Sequence, residues 1–242
     1  MTAPRFHLPD VSGTALRLDG AEGHHAADVR RVRIGERVDV GDLHGTVAEC
    51  VVASVSAGTV SLEVIRTRNL PAPSPRIVVV QALAKGDRAE SAVEAMTEVG
   101  VDEIVPWSAA RSIVRWDGAR GDKALERWRS TAREAAKQSR RAWLPVVSDL
   151  ASTADVRERL RDASLAVVLH ESATARLAGI AVPTAGEVVV VVGPEGGLTD
   201  EELADFAGAG ASAYRLGDSV LRTSTAGVAA CAVLLAKSGR WS

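Results

Sequence analysis

The 242-residue sequence predicts an α/β protein: a mostly parallel sheet with helices on both faces, preceded by a small β-barrel. Three observations carry that reading. From residue 77 onward, strand-like apolar runs alternate with segments of helical periodicity. One run, residues 188–192, is five consecutive valines ending at Gly193, the composition of a parallel strand covered on both faces. Before residue 70 the pattern differs, with short β-rich runs separated by turn residues.

In order, Val38-Asp39-Val40 leads into a turn at 41–45. Strands are expected at 46–55 and 59–65, with Ser56-Ala57-Gly58 turning the chain between them. The proline-rich segment 69–75 reads as a linker and sets the boundary between a barrel over 1–70 and an α/β domain over 76–242. Beyond it come a strand at 77–83, a helix at 88–99 closed by Gly100, and a strand at 103–107. A helix at 123–141, a short helix around 156–161 and a strand at 165–170 follow. The valine strand, a helix at 200–209, a short strand near 213–216 and a helix over 225–237 complete the chain.

A hydrophobic content of 46% supports a sizeable core. Cys50 and Cys231 lack zinc-ligand spacing and read as buried free thiols of a reducing cytoplasm. The five histidines are scattered, so no metal site is expected. No apolar run approaches the ~20 residues that span a bilayer, and residues 1–10 have no signal-peptide core, so a cytoplasmic protein without a membrane partner is expected.

Net charge is −2, but its distribution is uneven. Residues 111–141 carry 10 basic and 4 acidic side chains, a net of +6, while the segments on either side are each at −4. A basic island in an acidic chain is a footprint for a polyanion. In the helix expected at 123–141, Leu125, Trp128, Ala132 and Ala135 form an apolar stripe, and Arg129, Arg133, Lys137 and Arg141 a separate basic one. The plain alternative is a surface helix that happens to be basic.

The valine strand ends in Gly193-Pro194-Glu195-Gly196-Gly197, and Thr199 with Glu202 forms a capping box that opens a helix. Ligands of open α/β sheets sit at the carboxyl ends of strands. The spacing matches neither dinucleotide nor P-loop fingerprints. Asp200, Glu201 and Glu202 occupy the positive end of the helix dipole, so the turn should repel phosphate and prefer a neutral or cationic ligand. A tight turn with no ligand remains the bland alternative. Some twenty residues on, Leu216-Gly217-Asp218-Ser219-Val220-Leu221-Arg222-Thr223 is a second unusual segment. The last helix is rich in small residues, which suits core packing or a close approach of segments or subunits.

With these motifs the chain resembles the RsmE-type ribosomal RNA methyltransferases of the SPOUT class. Further shared pieces are Lys85-Gly86-Asp87, Glu98-Val99-Gly100-Val101, Ile104-Val105-Pro106 with Arg111-Ser112, residues 135–140 and residues 24–33. The resemblance implies a PUA-like β-barrel and a methyltransferase domain with a trefoil knot. It implies S-adenosyl-L-methionine as cofactor and a homodimer. The cofactor would be held by Leu169, His170 and Glu171, by Gly193, Pro194, Glu195, Gly196 and Gly197, and by Leu216, Gly217, Val220 and Leu221, with Ser224 and Thr225 nearby. The implied reaction is methylation of N3 of one uridine in 16S ribosomal RNA, free or in the small ribosomal subunit.

Uracil N3 carries a proton and is a poor nucleophile until it leaves. Arg222 is the candidate for stabilising the resulting anion, with a structural ion pair as its bland alternative. Glu195 is a candidate base or orienting group, or a mere turn carboxylate. The family commonly has Glu two residues after this Arg, where this chain has Ser224. Candidates for RNA contact are Arg30, Arg31, Arg33, Arg111, Arg115, Arg129, Arg133 and Arg140. Competing readings are a SPOUT enzyme acting on transfer RNA or another ribosomal site, an inactive RNA-binding protein, and a nucleotide-dependent enzyme.

Overall fold

The computed structural model describes residues 3–86 and 88–241. The chain forms two compact units, one holding the residues up to Ala72 together with Ala136–Leu144, the other Pro73–Ala135 and the residues from Pro145 onward.

Unit 1 is built on a five-stranded sheet in the order β1-β3-β4-β5-β2. The strands are β1 (Arg5–His7), β2 (Ala15–Leu18), β3 (Arg37–Gly41), β4 (Thr46–Ser56) and β5 (Thr59–Asn69). A short helix α1 (Gly20–His24) runs into a wider turn over His25–Val29. β3, β4 and β5 form an antiparallel meander, while β1 joins β3 in parallel. Alternate residues point inward: Val38, Val40, Ala48, Cys50, Val52, Val60 and Leu62 are all buried in one cluster with Phe6 and Leu18. The strand expected at 59–65 runs on to Asn69, and β1, β2 and α1 were not expected. β1 and β2 are too short to show a period, and their pairing partners lie 34 and 48 residues away in register (Arg5↔Asp39, Ala15↔Glu63).

Residues 136–144 complete unit 1. Gly45, at φ +100°, lies under Trp143, whose ring would sit 2.4 Å from any Cβ added there. The Trp143 indole donates to the carbonyls of Leu70 and Pro71 at 3.2 and 3.1 Å.

Unit 2 carries a six-stranded sheet in the order β11-β9-β10-β6-β7-β8, with each neighbouring pair of strands parallel. Its strands are β6 (Arg76–Ala82), β7 (Glu103–Trp107), β8 (Val146–Val147), β9 (Leu165–Leu169), β10 (Glu187–Val192) and β11 (Ser212–Tyr214). Its helices are α2 (Arg88–Val99), α3 (Gly118–Gln138), α4 (Thr153–Asp162), α5 (Asp200–Gly208) and α6 (Thr223–Lys237). The α/β class expected from the sequence is the one observed.

The valine run is buried on both faces because both are covered. Ile77, Val79, Val188, Val190 and Val192 pack with α2, α3 and α6 through Met96, Trp128, Ala230 and Leu234. Val78, Val80, Val189 and Val191 pack with α4 and α5 through Val156, Leu160 and Phe206. At roughly 1.5–3 kcal/mol for each large apolar side chain removed from water, this double burial is the main force holding unit 2.

α3 starts five residues before the expected position and ends at Gln138; Arg140 then takes a left-handed φ of 56°. Arg141 is therefore off the helix, and the basic stripe stops at Lys137. The early start escaped the sequence reading because Gly118-Ala119-Arg120-Gly121-Asp122 has no apolar period.

Candidate functional site

The carboxyl ends of β9, β10 and β11, which lie side by side in the sheet, open into one cleft of about 710 Å³. Three loops line it: Leu169-His170-Glu171 after β9, Gly193 to Leu198 after β10, and Tyr214 to Arg222 after β11. All but two of the residues assigned to the cofactor from the sequence line this cleft. Ser224 and Thr225 do not; they sit in the first turn of α6, where the Thr225 hydroxyl donates to the Arg222 carbonyl at 3.2 Å. Both catalytic candidates, Glu195 and Arg222, line the cleft.

Local hydrogen bonds fix the walls. The Thr223 hydroxyl donates to the Gly193 carbonyl at 3.1 Å, tying the start of α6 to the end of β10. The Leu177 amide donates to the Arg215 carbonyl and the Arg215 amide to the Ala175 carbonyl, both at 2.9 Å, so the loops after β9 and β11 run together. Asp218 adds ion pairs to Arg176 at 3.0 Å and to Arg215 at 3.5 Å. The His170 Nδ1 accepts from the Ser172 amide at 3.2 Å, so in the neutral ring the proton resides on Nε2.

The glycine turn is shaped by its neighbours. Gly197 adopts φ +73°, which disfavours a side chain. The capping box forms as expected: the Glu202 amide donates to the Thr199 hydroxyl at 3.1 Å, and Glu202 Oε2 accepts from the Thr199 amide at 2.9 Å. Glu202 is buried, and its Oε1 also accepts from the Ala110 amide at 2.8 Å.

That burial corrects one expectation. Of the three acidic residues opening α5, only Asp200 lines the cleft; Glu202 is turned away into its two amide partners. The lining contains Glu171, Glu195 and Asp200 beside Arg88, Arg111, Arg215 and Arg222. The cleft therefore has mixed charge: capping withdraws Glu202, and four arginines stand among the acids that remain. Arg88 and Arg215 were not selected from the sequence. Arg88 opens α2, far along the chain from both motifs, and Arg215 follows a strand too short to show a period.

The arginines considered for RNA separate into groups. Arg30, Arg31 and Arg33 are exposed on unit 1 just after the turn over His25–Val29, and Arg140 is exposed on the segment 136–144. Arg133 is exposed on α3. Arg129, on the same helix, is neutralised by Glu126 and Asp149, each at 2.8 Å. Arg115 donates to the Ser108 hydroxyl and to the carbonyls of Ala109 and Ala110 at 3.0–3.3 Å. Arg111 donates to the carbonyls of Gly196 and Leu198 at 3.3 and 3.0 Å.

Residues 71–235 match the RNA methyltransferase domain family and residues 18–65 the RNA methyltransferase PUA domain family. The chain is 47% identical over 238 residues to the ribosomal RNA small subunit methyltransferase E of Mycobacterium bovis, covering 97% of this chain and 90% of that protein. The chain belongs to the ribosomal RNA small subunit methyltransferase E family. A Bacillus subtilis member is 33% identical, over 86% of this chain and 85% of its own length. The crystal structure of the Neisseria gonorrhoeae member bound to S-adenosyl methionine superposes with a TM-score of 0.81 at 29% identity, covering 97% of this chain and 98% of that one. The family resemblance read from the motifs is thereby borne out. No helix among the described residues is long and apolar enough to cross a membrane. No cluster of three or more His, Cys, Asp or Glu suited to a metal ion occurs among the described residues.

Proposed function

We propose that this chain methylates N3 of a uridine in 16S ribosomal RNA, using S-adenosylmethionine, as a cytoplasmic homodimer. The observation that carries this reading is the cleft at the ends of β9, β10 and β11, which gathers both unusual motifs with Glu195 and Arg222. We assign RNA binding to the barrel over 1–70 and methyl transfer to residues 76–242, with the family's trefoil knot at the C-terminal end.

The residues present suit this cofactor. At about 710 Å³ the cleft lies within the ~300–1,000 Å³ usual for small-ligand sites. Leu169, Val192, Leu216 and Leu221 offer an apolar wall, and the backbone amides of Gly196 and Leu198 find no partner among the described residues. Glu171, Glu195 and Asp200 complement positive groups; Arg88 and Arg215 complement a carboxylate.

When bound, S-adenosylmethionine supplies a methyl group on a positively charged sulfur. The chain must make N3 a nucleophile. Arg222 donates to a uracil carbonyl and stabilises the anion that forms as the N3 proton leaves. Glu195, exposed in the cleft turn, accepts that proton in this scheme. Ser224 stands where the family commonly has Glu, and this scheme uses no carboxylate at that position. Arg30, Arg31, Arg33, Arg133 and Arg140, all exposed, carry the RNA footprint. Their phosphate contacts make affinity fall steeply with salt.

The test is methylation of small subunits lacking the modification, followed by mass spectrometry of the ribosomal RNA. One methyl group on uridine N3 is expected, and Arg222→Ala should slow the single-turnover rate by roughly 100-fold with cofactor affinity retained. Methylation of transfer RNA, or none, would overturn the assignment. A large rate gain in Ser224→Glu would show that the missing carboxylate matters after all.

A further inference from the structure

The loop after β7, residues 108–117, contains two arginines that the charge count alone would send to RNA. Both are committed to backbone carbonyls. Arg115 turns back on its own loop, to Ala109 and Ala110. Arg111 reaches 85 and 87 residues along the chain, to Gly196 and Leu198 in the glycine turn. Glu202 clamps the same loop from the other side, through the Ala110 amide at 2.8 Å.

A carbonyl and the amide that follows it share one rigid plane. In the plane joining Gly196 and Gly197, the carbonyl accepts from Arg111 and the amide donates to the Pro194 carbonyl at 2.9 Å. In the plane joining Leu198 and Thr199, the carbonyl again accepts from Arg111 and the amide donates to Glu202 at 2.9 Å. Each plane is therefore pinned at both ends. The amides of Gly196 and Leu198, which have no partner among the described residues, are flanked by these pinned planes on the cleft wall. The fit is close: a Cβ on Gly196 would stand 3.1 Å from the Arg111 Cβ and 3.2 Å from its carbonyl oxygen.

We infer that Arg111 is a positioning residue: it fixes two peptide planes of the glycine turn that flank the Gly196 and Leu198 amides, so that these amides are held ready for the methyl donor, and it does not supply RNA affinity. This rests on the reading of the cleft as the S-adenosylmethionine site. Fixing donors in advance lowers the ordering cost of binding, so the loss should appear in cofactor affinity.

The experiment compares the full-length protein with Arg111→Ala and Arg111→Lys. Calorimetry measures the Kd for S-adenosylmethionine, and fluorescence anisotropy measures the salt dependence of binding to a 16S ribosomal RNA fragment. Lysine keeps the charge that phosphate would feel, but its compact ammonium on a shorter stem cannot reproduce the guanidinium's reach to both carbonyls. The expected result is a cofactor Kd raised about tenfold or more in both variants, ~1.4 kcal/mol per factor of ten, with the RNA salt slope unchanged. A cofactor Kd within about twofold of wild type in Arg111→Ala would overturn the proposal. So would a salt slope reduced by roughly 0.7–0.9 in Arg111→Ala and restored in Arg111→Lys, the signature of one phosphate contact. If the wild-type protein itself gave no binding, the reading of the cleft would fall, and the proposal with it. Circular dichroism reports folding; Arg111→Lys, which keeps the charge and most of the stem, carries the test should Arg111→Ala not fold.

Discussion

Replacing Glu202 with alanine should cost unit 2 about 2–5 kcal/mol. The carboxylate is buried and accepts two amide hydrogens, from Thr199 at the start of α5 and from Ala110 in the loop after β7. Losing the reciprocal half of a capping box costs ~1 kcal/mol. Stranding a buried amide costs a further ~1–3 kcal/mol for each one that water cannot reach. Both bonds are only part-buried, which keeps the total below the sum of two full penalties. At ~2–4 °C per kcal/mol for a chain of this size, the melting temperature should fall by roughly 4–20 °C. Glu202→Gln keeps one oxygen acceptor and should lose about half as much. Urea unfolding followed by near-ultraviolet circular dichroism reads unit 2 directly, since Trp107 and Trp128 are buried there. An alanine variant within about 0.5 kcal/mol of wild type, the range of an ordinary surface change, would refute the claim that Glu202 fastens the loop to the turn.

Three further outcomes follow from packing and charge. A Cβ on Gly227 would sit 2.9 Å from the Met96 sulfur and 3.5 Å from a Val192 methyl, so Gly227→Val should destabilise by about 2–3 kcal/mol in the same unfolding assay; no loss would mean that α6 packs less closely on α2 and the sheet. Burial pushes the Glu103 carboxyl up, but hydrogen bonds from Arg159 and Ser148 and the nearby Arg76 charge outweigh it and hold the group below its ordinary range. The folded state therefore binds fewer protons than the unfolded state, so this stabilisation is present at neutral pH and disappears as pH falls below the ordinary carboxylate range; Arg159→Met should flatten that acid limb in a pH series of melting temperatures. Burial pushes the His7 imidazole down, reinforced by Lys137 and Arg5 against the opposing pull of Glu22. Unit 1 should accordingly lose stability as pH drops from 7.5 to about 5.5 through the ordinary histidine range (~6.5), and His7→Leu should lose less over the same interval.

The readable parts of the sequence were those where local pattern and tertiary environment agree. Val188 to Val192 could only be a doubly covered strand, and Thr199 with Glu202 marks a helix start whose capping bonds depend on nearby residues alone. The two motifs around Gly196 and Leu221 announced a site because glycine and exposed apolar residues serve no core. What stayed hidden is non-local. Arg129 has Glu126 within reach along α3, but its second partner, Asp149, lies 20 residues on. Arg111 looked like a phosphate contact because its carbonyl partners lie beyond the reach of any periodicity. β1 joins the sheet only because β3, 34 residues later in register, offers it an edge. Charge counts register how many arginines a segment contains, not where their hydrogens point.

The tenancy of residues 136–144 in unit 1 has a consequence for how the protein is made. The ribosome releases the five barrel strands early, but Trp143 and its neighbours follow about 70 residues later. At ~5–20 residues per second, the nascent barrel waits roughly 4–15 s with the site beneath Trp143 bare. Nor does a single cut at the proline linker yield two whole pieces: the upstream fragment would lack its closing tryptophan, and the downstream one would carry it with nothing to cover.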